Sequence, residues 1–273
     1  MGSPAVGELV RAWRTRRRRS QMDLAFEVGV SPRHLSFVET GRSRPSPELV
    51  LALADHLVVP LRERNTLMLA AGYAPRFSQR SLDSPEMHHV RASVQRMLDA
   101  HDPYPGVVID RQWNVILANN AAAALTQDLP AELVGPPLNV YRSCLHPDGL
   151  SSRTLNFDEW ATYLLAQLRR SIMLTGDPEL EALLTEIRSY PNVADLVEMR
   201  HATTWDDPPL LIPFRITIGD EQLSLFTTLT TFGTPRDVTL DELAIELFFP
   251  ADDPTDRILT RTTALARATS SRG

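Results

Sequence analysis

The stretch SQMDLAFEVGVSPRHLSFVETGRSRPS, residues 20–46, constrains this chain more than any other. Ser20 can cap a helix over Gln21 to Val28. Ser31 followed by Pro32 is a capped start with proline at the first helical position, and Ser46-Pro47 repeats it. Gly41 supplies the stop after the middle helix, Pro32 to Thr40. Gly29 tolerates the positive φ of a sharp turn between two helices, and Ala25 lets those helices approach closely. Leu35 and Val38 are then spaced to hold the second helix against the first. Two short helices joined by a tight turn are the expected result.

That packing leaves Arg33, His34 and Phe37 pointing outward from the first two turns of the second helix. An exposed helix start carrying Arg and His suits a DNA major groove, where Arg can bond guanine O6 and N7 together. The segment Ser20 to Pro45 resembles the helix-turn-helix of the XRE family of bacterial repressors, with SQ at its start, GVS at the turn, and Glu39, Gly41 and Pro45 in an ExGxxxP pattern. The resemblance implies phosphate contacts from Gln21 and Ser31. It places Pro32, Arg33, His34 and Phe37 at base edges, and Arg42 and Arg44 on backbone oxygens. The RTRRRR cluster, Arg14 to Arg19, is less specific, because basic runs are often solvated surface.

Charge supports a split. Residues 1–80 hold 13 Arg against 7 acidic residues, a local net of +6, and residues 81–273 hold 15 against 27, a local net of −12. No lysine occurs. A basic first third and an acidic remainder suggest that one part meets a polyanion and the other does not. With 273 residues, two domains are expected.

Five short helices account for residues 1–74: Val6–Arg17, the two above, one opened by Ser46-Pro47 with Leu49, Val50, Leu53 and Leu57 inward, and Leu61–Ala71 ending at Gly72. The polar residues 75–86 read as a linker, and 87–273 as a second domain. Met87 to His101 has the pattern of a helix, a candidate for packing on its own copy. From Tyr104 the pattern is α+β. Gly106–Asp110 and Trp113–Ala118 are strand-like, and a helix follows around Asn119–Leu125. Phe157 to Met199 is helical, restarted at Asp177-Pro178. Strands return in LLIPFRITIG, in EQLSLFTTLTTFG and in LAIELFFP, the first two separated by Gly219-Asp220. The tail from Ala251 reads as peripheral helix and then disorder over the last fifteen or so residues.

Four further stretches, PYPGVVIDRQWNVILANNAAAAL, NVYRSCLHPDGL, LRRSIMLTGDPELEALL and FGTPRDVTLDELAIELFFP, resemble the MmyB-like transcription regulators, from about Gly7 to Pro250. The resemblance implies a C-terminal PAS-like domain with an antiparallel sheet and a pocket for a fatty-acid-like effector. Helical residues such as Trp160, Leu164, Leu168, Met173 and Leu174 could cover the sheet and leave an apolar slot. An acidic amphiphile would need a cation or donors at one end, for which Arg142, then Asn119, Asn139 and His146, are the candidates.

Catalysis is not expected. The histidines at 34, 56, 88, 89, 101, 146 and 201 are scattered, and no HExxH, CxxC, GxSxG or phosphate-cradling loop is present. The only pairing on offer is Cys144 with His146, and a lone cysteine is usually inert. No metal or cofactor is expected beyond a bound lipid-like effector. No window approaches 18 apolar residues, no secretory signal precedes residue 20, and one cysteine suits a reducing cytoplasm. The expectation is a cytoplasmic, homodimeric regulator on a palindromic duplex operator, controlled by a small apolar ligand. The alternative is a C-terminal domain that serves only as a dimerisation or docking scaffold.

Overall fold

The structure, a computed structural model, describes residues 5–199 and 210–270, so His201 lies outside the described residues. The chain divides into two compact units, Met1–Ser81 with Gly233–Asp241, and Leu82–Phe232 with Glu242–Gly273.

The first unit is helical: α1 (Val6–Arg16), α2 (Gln21–Glu27), α3 (Pro32–Glu39), α4 (Pro47–His56) and α5 (Leu61–Ala70). The three serines cap as expected. Ser20 Oγ accepts from the Asp23 N–H at 3.1 Å, Ser31 Oγ from His34 at 3.1 Å, and Ser46 Oγ from Leu49 at 3.2 Å. Gly29 and Gly41 adopt φ of +74° and +72°. Leu24, Ala25, Leu35, Val38, Val50 and Leu53 are fully buried and form the centre of the bundle. Gly7 makes a close approach possible, because a Cβ there would lie 2.2 Å from the Val38 carbonyl oxygen.

One polar cluster ties three of these helices together. Arg14 donates to both carboxylate oxygens of Glu39, at 2.6 and 3.0 Å, and Gln21 Nε2 donates to Glu39 Oε2 at 2.6 Å. Glu39 is buried, so this pairing offsets the cost of taking its charge out of water.

Residues 75–81, the first part of the expected linker, are held on this unit. Asn65 Oδ1 accepts from the backbone N–H groups of Arg76 and Phe77, and its amide donates to the Phe77 carbonyl. Segment 233–241 is held there too. Ser78 Oγ donates to Asp237 at 2.7 Å, the Val238 N–H to the Ser78 carbonyl at 2.8 Å, and Thr239 Oγ1 to the Arg80 carbonyl at 2.6 Å.

The second unit begins with α6 (His88–His101), β1 (Gly106–Ile109), β2 (Val115–Ala118) and the short helices α7 (Asn120–Thr126), α8 (Ala131–Val134) and α9 (Val140–Leu145). Then come α10 (Phe157–Thr175), α11 (Pro178–Arg188) and α12 (Pro191–Met199). Last are β3 (Phe214–Ile218), β4 (Glu221–Thr231), α13 (Val238–Glu242, mostly in the first unit), β5 (Ala244–Pro250) and α14 (Asp253–Ser270).

The strands form an antiparallel sheet in the order β2-β1-β5-β4-β3, with β5 central. Gly219, at φ +57°, makes the β3–β4 turn that Gly219-Asp220 predicts. Trp160, Ala161, Leu164, Leu165 and Leu168 line the buried stripe of α10 and pack into one core with Phe214, Ile216, Leu223 and Leu225 of the sheet. The other face is covered near Gly106, where a Cβ would press on Leu98 of α6 and on Leu247.

Two boundaries differ from expectation. Trp113 sits in a turn at φ +67° rather than in a strand. Asp110 Oδ1 accepts from the N–H groups of Gln112 and Asn114, which folds residues 110–114 back and delays β2 to Val115. The tail is helical through Ser270. Its first turn is fixed by Asp252, which accepts from the Thr255 N–H, and by Thr255 Oγ1, which accepts from the Ser224 N–H of β4.

Candidate functional site

Within the first unit, α3 presents a polar face. Ser31, Pro32, Arg33 and Arg42 are exposed, and His34 and Phe37 are half-buried, while Leu35 and Val38 point into the bundle. The Arg33 and Arg42 guanidinium groups lie 5.3 and 5.9 Å from the Phe37 ring centre, so two cations flank one aromatic at the helix surface. Gln21, half-buried at the start of α2, commits one amide N–H to Glu39 and keeps the other.

Arg44 has a different position. Its Nε and Nη2 donate to the carbonyls of Ala71 and Gly72 at 2.9 and 3.1 Å, and its guanidinium stacks 4.7 Å from the Tyr73 ring centre. It therefore closes the C-terminal end of α5. The arginine cluster is likewise partly consumed by the fold. Arg14 holds Glu39, Arg17 donates to the Leu57 and Val58 carbonyls, and Arg19 pairs with Glu27.

Within the second unit, a cavity of about 70 Å³ lies inside a hollow of about 600 Å³ that includes its open mouth. Its walls come from β1, β2, α7, α9, α10, β3 and β5, and they are apolar apart from a few groups. Val107, Leu138, Val140, Leu164 and Phe248 supply hydrocarbon. Trp160 is on the wall, stacked on Phe214 at 5.0 Å. Thr126, whose hydroxyl donates to the Ala123 carbonyl, and Ser143, Cys144 and Glu246 are the polar lining.

Of the five residues expected at a ligand site, Trp160 alone lines this cavity. Asn119 spends its whole capacity on the backbone: Oδ1 accepts from the N–H groups of Gly106 and Ala122, and the amide donates to the carbonyls of Leu98 and Tyr104. Asn139 caps α9 in the same way, accepting from Tyr141 and Arg142 N–H and donating to the Gln112 carbonyl and to Asn114. Arg142 makes a two-pronged pair with Glu186 at 2.8 and 2.7 Å. The Tyr190 hydroxyl donates to the same carboxylate, and His146 packs edge-on to Tyr190 at 4.9 Å. Arg142 and its hydrogen bonds hold Glu186 below the usual carboxylate range. Arg142 and His146 thus share one network away from the cavity lining.

Sequence reasoning missed Glu246 and Ser143. Glu246 sits on the central strand, paired with Val107 on one side and Leu229 on the other, and is 8% exposed. Burial pushes its carboxyl up to about 7, against a smaller lowering by the Thr227 hydroxyl. A lone carboxylate at an inward position of the apolar run LAIELFFP was the available signal. Burial also pushes the Cys144 thiol up to about 12, so it is a neutral, weakly nucleophilic group at neutral pH. Cys144, the only cysteine that could have offered a pairing with His146, faces the cavity.

A helix-turn-helix bundle in one unit, and in the other an antiparallel sheet around an apolar cavity, define a class: a DNA-binding transcription regulator with a PAS-like ligand-binding domain. Residues 90–261 match the model of the MmyB-like transcription regulator ligand binding domain, and residues 5–67 match that of a helix-turn-helix domain. The chain belongs to the MmyB-like transcription regulators.

Among curated proteins none is a significant match. Among solved structures, the PAS domain of BvgS from Bordetella pertussis aligns at 15% identity and a TM-score of 0.26, over 66% of this chain and 98% of that one. An RNA-binding light-oxygen-voltage receptor aligns at 14% identity and a TM-score of 0.27, over 96% of this chain and 63% of that one. Among the described residues no helix is long and apolar enough to cross a membrane.

Proposed function

We propose that this regulator reads duplex DNA through the start of α3 and is controlled by a small apolar molecule held in the cavity of the second unit. The observation that carries the reading is the division of α3: Leu35 and Val38 are fully buried, while Arg33 stands exposed beside Phe37 just past the Ser31 cap. In a major groove, Arg33 and His34 would meet base edges together with Pro32 and Phe37. Ser31, Gln21 and Arg42 would meet phosphates, and the local charge of +6 would draw the unit to a polyanion.

The working form is a cytoplasmic homodimer. Two copies of α3, one helical turn apart, would match a palindromic operator. Ligand would act by binding two dimer geometries unequally, which shifts operator affinity by at most that difference in free energy. The apolar walls suit the hydrocarbon part of a fatty-acid-like molecule. The enclosed space holds roughly five water-sized atoms at the volume one water needs, so a longer chain would occupy the wider hollow.

Native mass spectrometry of protein purified from cells tests the ligand half of this proposal. A co-purifying adduct of acyl-lipid mass that departs on denaturation supports it. A bare polypeptide that no panel of amphiphiles alters favours a scaffold domain instead.

A further inference from the structure

The cavity wall concentrates unmet hydrogen-bonding capacity. Glu246 Oε2 and Ser143 Oγ line it, are buried, and have no hydrogen-bond partner among the described residues, while the Trp160 indole N–H on the same wall faces the Cys144 thiol, a weak acceptor. The Tyr141 hydroxyl, fully buried nearby, also has no partner among the described residues. Three orphaned polar atoms at or near a greasy space are costly unless something completes them. Among the described residues, no Lys, Arg or His lines the cavity.

Tyr141, Tyr163 and Cys144 each interact electrically with Glu246, and none of them is a cation. Both tyrosines and the thiol are held neutral by burial, which pushes their ionisation upward. Arg142, the cation expected to receive an acidic ligand, is bound to Glu186 instead. A carboxylate entering this space would face Glu246 with no positive charge among the described lining residues to receive it.

We infer that the cavity takes an amphiphile whose polar end donates hydrogen bonds, a hydroxyl or an amine, to the Glu246 carboxyl, and that it rejects a carboxylate end. Ser143 Oγ can accept from or donate to the same end, and the Trp160 indole can donate to its oxygen or to the Glu246 side chain. The inference rests on the proposal that this cavity is the effector site. It specifies the polar end of the ligand, while the walls set its hydrocarbon portion.

The test is calorimetric titration of the full chain at pH 8.5, above the range in which the Glu246 carboxyl holds its proton, with octan-1-ol, octylamine and octanoate, which share one tail. The expected result is that octanoate binds at least about tenfold more weakly than either of the others. Glu246→Gln removes the repulsion and adds an N–H donor, so octanoate should gain about tenfold and octylamine should lose about as much. Ser143→Ala, a milder change, should weaken octan-1-ol without helping octanoate.

Octanoate binding as tightly as octan-1-ol, or an order of preference unmoved by Glu246→Gln, overturns the end-group inference and leaves the cavity proposal standing. Failure of all three to bind overturns both. Circular dichroism of each variant checks that it folds, and Ser143→Ala carries the test if Glu246→Gln does not.

Discussion

The Asp241 carboxylate accepts a hydrogen bond from the Leu61 N–H at 3.1 Å, across 180 positions of sequence. Leu61 opens α5, whose N-cap position is Pro60 and makes no side-chain cap of its own. A residue from far along the chain therefore closes a helix of the DNA-binding unit. That residue lies three positions before β5, the strand carrying Glu246.

Asp241→Ala should accordingly destabilise the first unit by about 1 kcal/mol, the usual worth of a lost helix cap. It should also shrink the effect of ligand on operator affinity while leaving the affinity for ligand itself unchanged. Thermal unfolding and DNA titration with and without bound ligand measure the two effects. An unchanged ligand effect would show that segment 233–241 carries no signal.

The Glu246 carboxyl gives a pH dependence of definite sign. Its folded value, about 7, stands above the ordinary carboxylate value, so the folded state holds a proton that the unfolded state has released. The native state is therefore penalised as pH rises from about 4.5 to 7, and the penalty is constant above that range. Glu246→Gln should be more stable than the parent at pH 8 by on the order of 2 kcal/mol, with the gap closing toward pH 4.5. Chemical unfolding at a series of pH values reads it out, and parallel curves for parent and variant would contradict it.

The two arginines after α3 should behave differently. Arg42 is exposed and makes no ion pair among the described residues, so Arg42→Ala should weaken all duplexes alike and lower the salt slope by about one. Arg44 is held by the Ala71 and Gly72 carbonyls and the Tyr73 ring, so Arg44→Ala should also lower the melting temperature of the free protein. Equal melting temperatures for parent and Arg44→Ala would return Arg44 to a pure phosphate role.

Much of the first unit was legible in the sequence because its signals are local. Each Ser cap acts three residues away, and Gly29 and Gly41 act on their own φ. The strands of the second unit were legible for the same reason, since alternation in Leu223, Leu225 and Thr227 is a short-range pattern. The cavity was not. Asn119, Asn139 and Arg142 are polar residues in suggestive stretches, but their partners, such as Leu98, Gln112 and Glu186, lie 21 to 44 positions away. Glu246 looked like one charge in a strand that could face either way. Only the pairing of β5 between β1 and β4 turns it inward.

Arg33 offers the most direct measurement. Operators selected from a random duplex pool by the full chain should bind the parent at least about a thousandfold more tightly than scrambled duplex. Arg33→Ala should lose about 1–3 kcal/mol and tolerate any base at one position of each half-site. A variant that binds every selected sequence as tightly and as selectively as the parent would contradict the assignment of α3 as the reading helix.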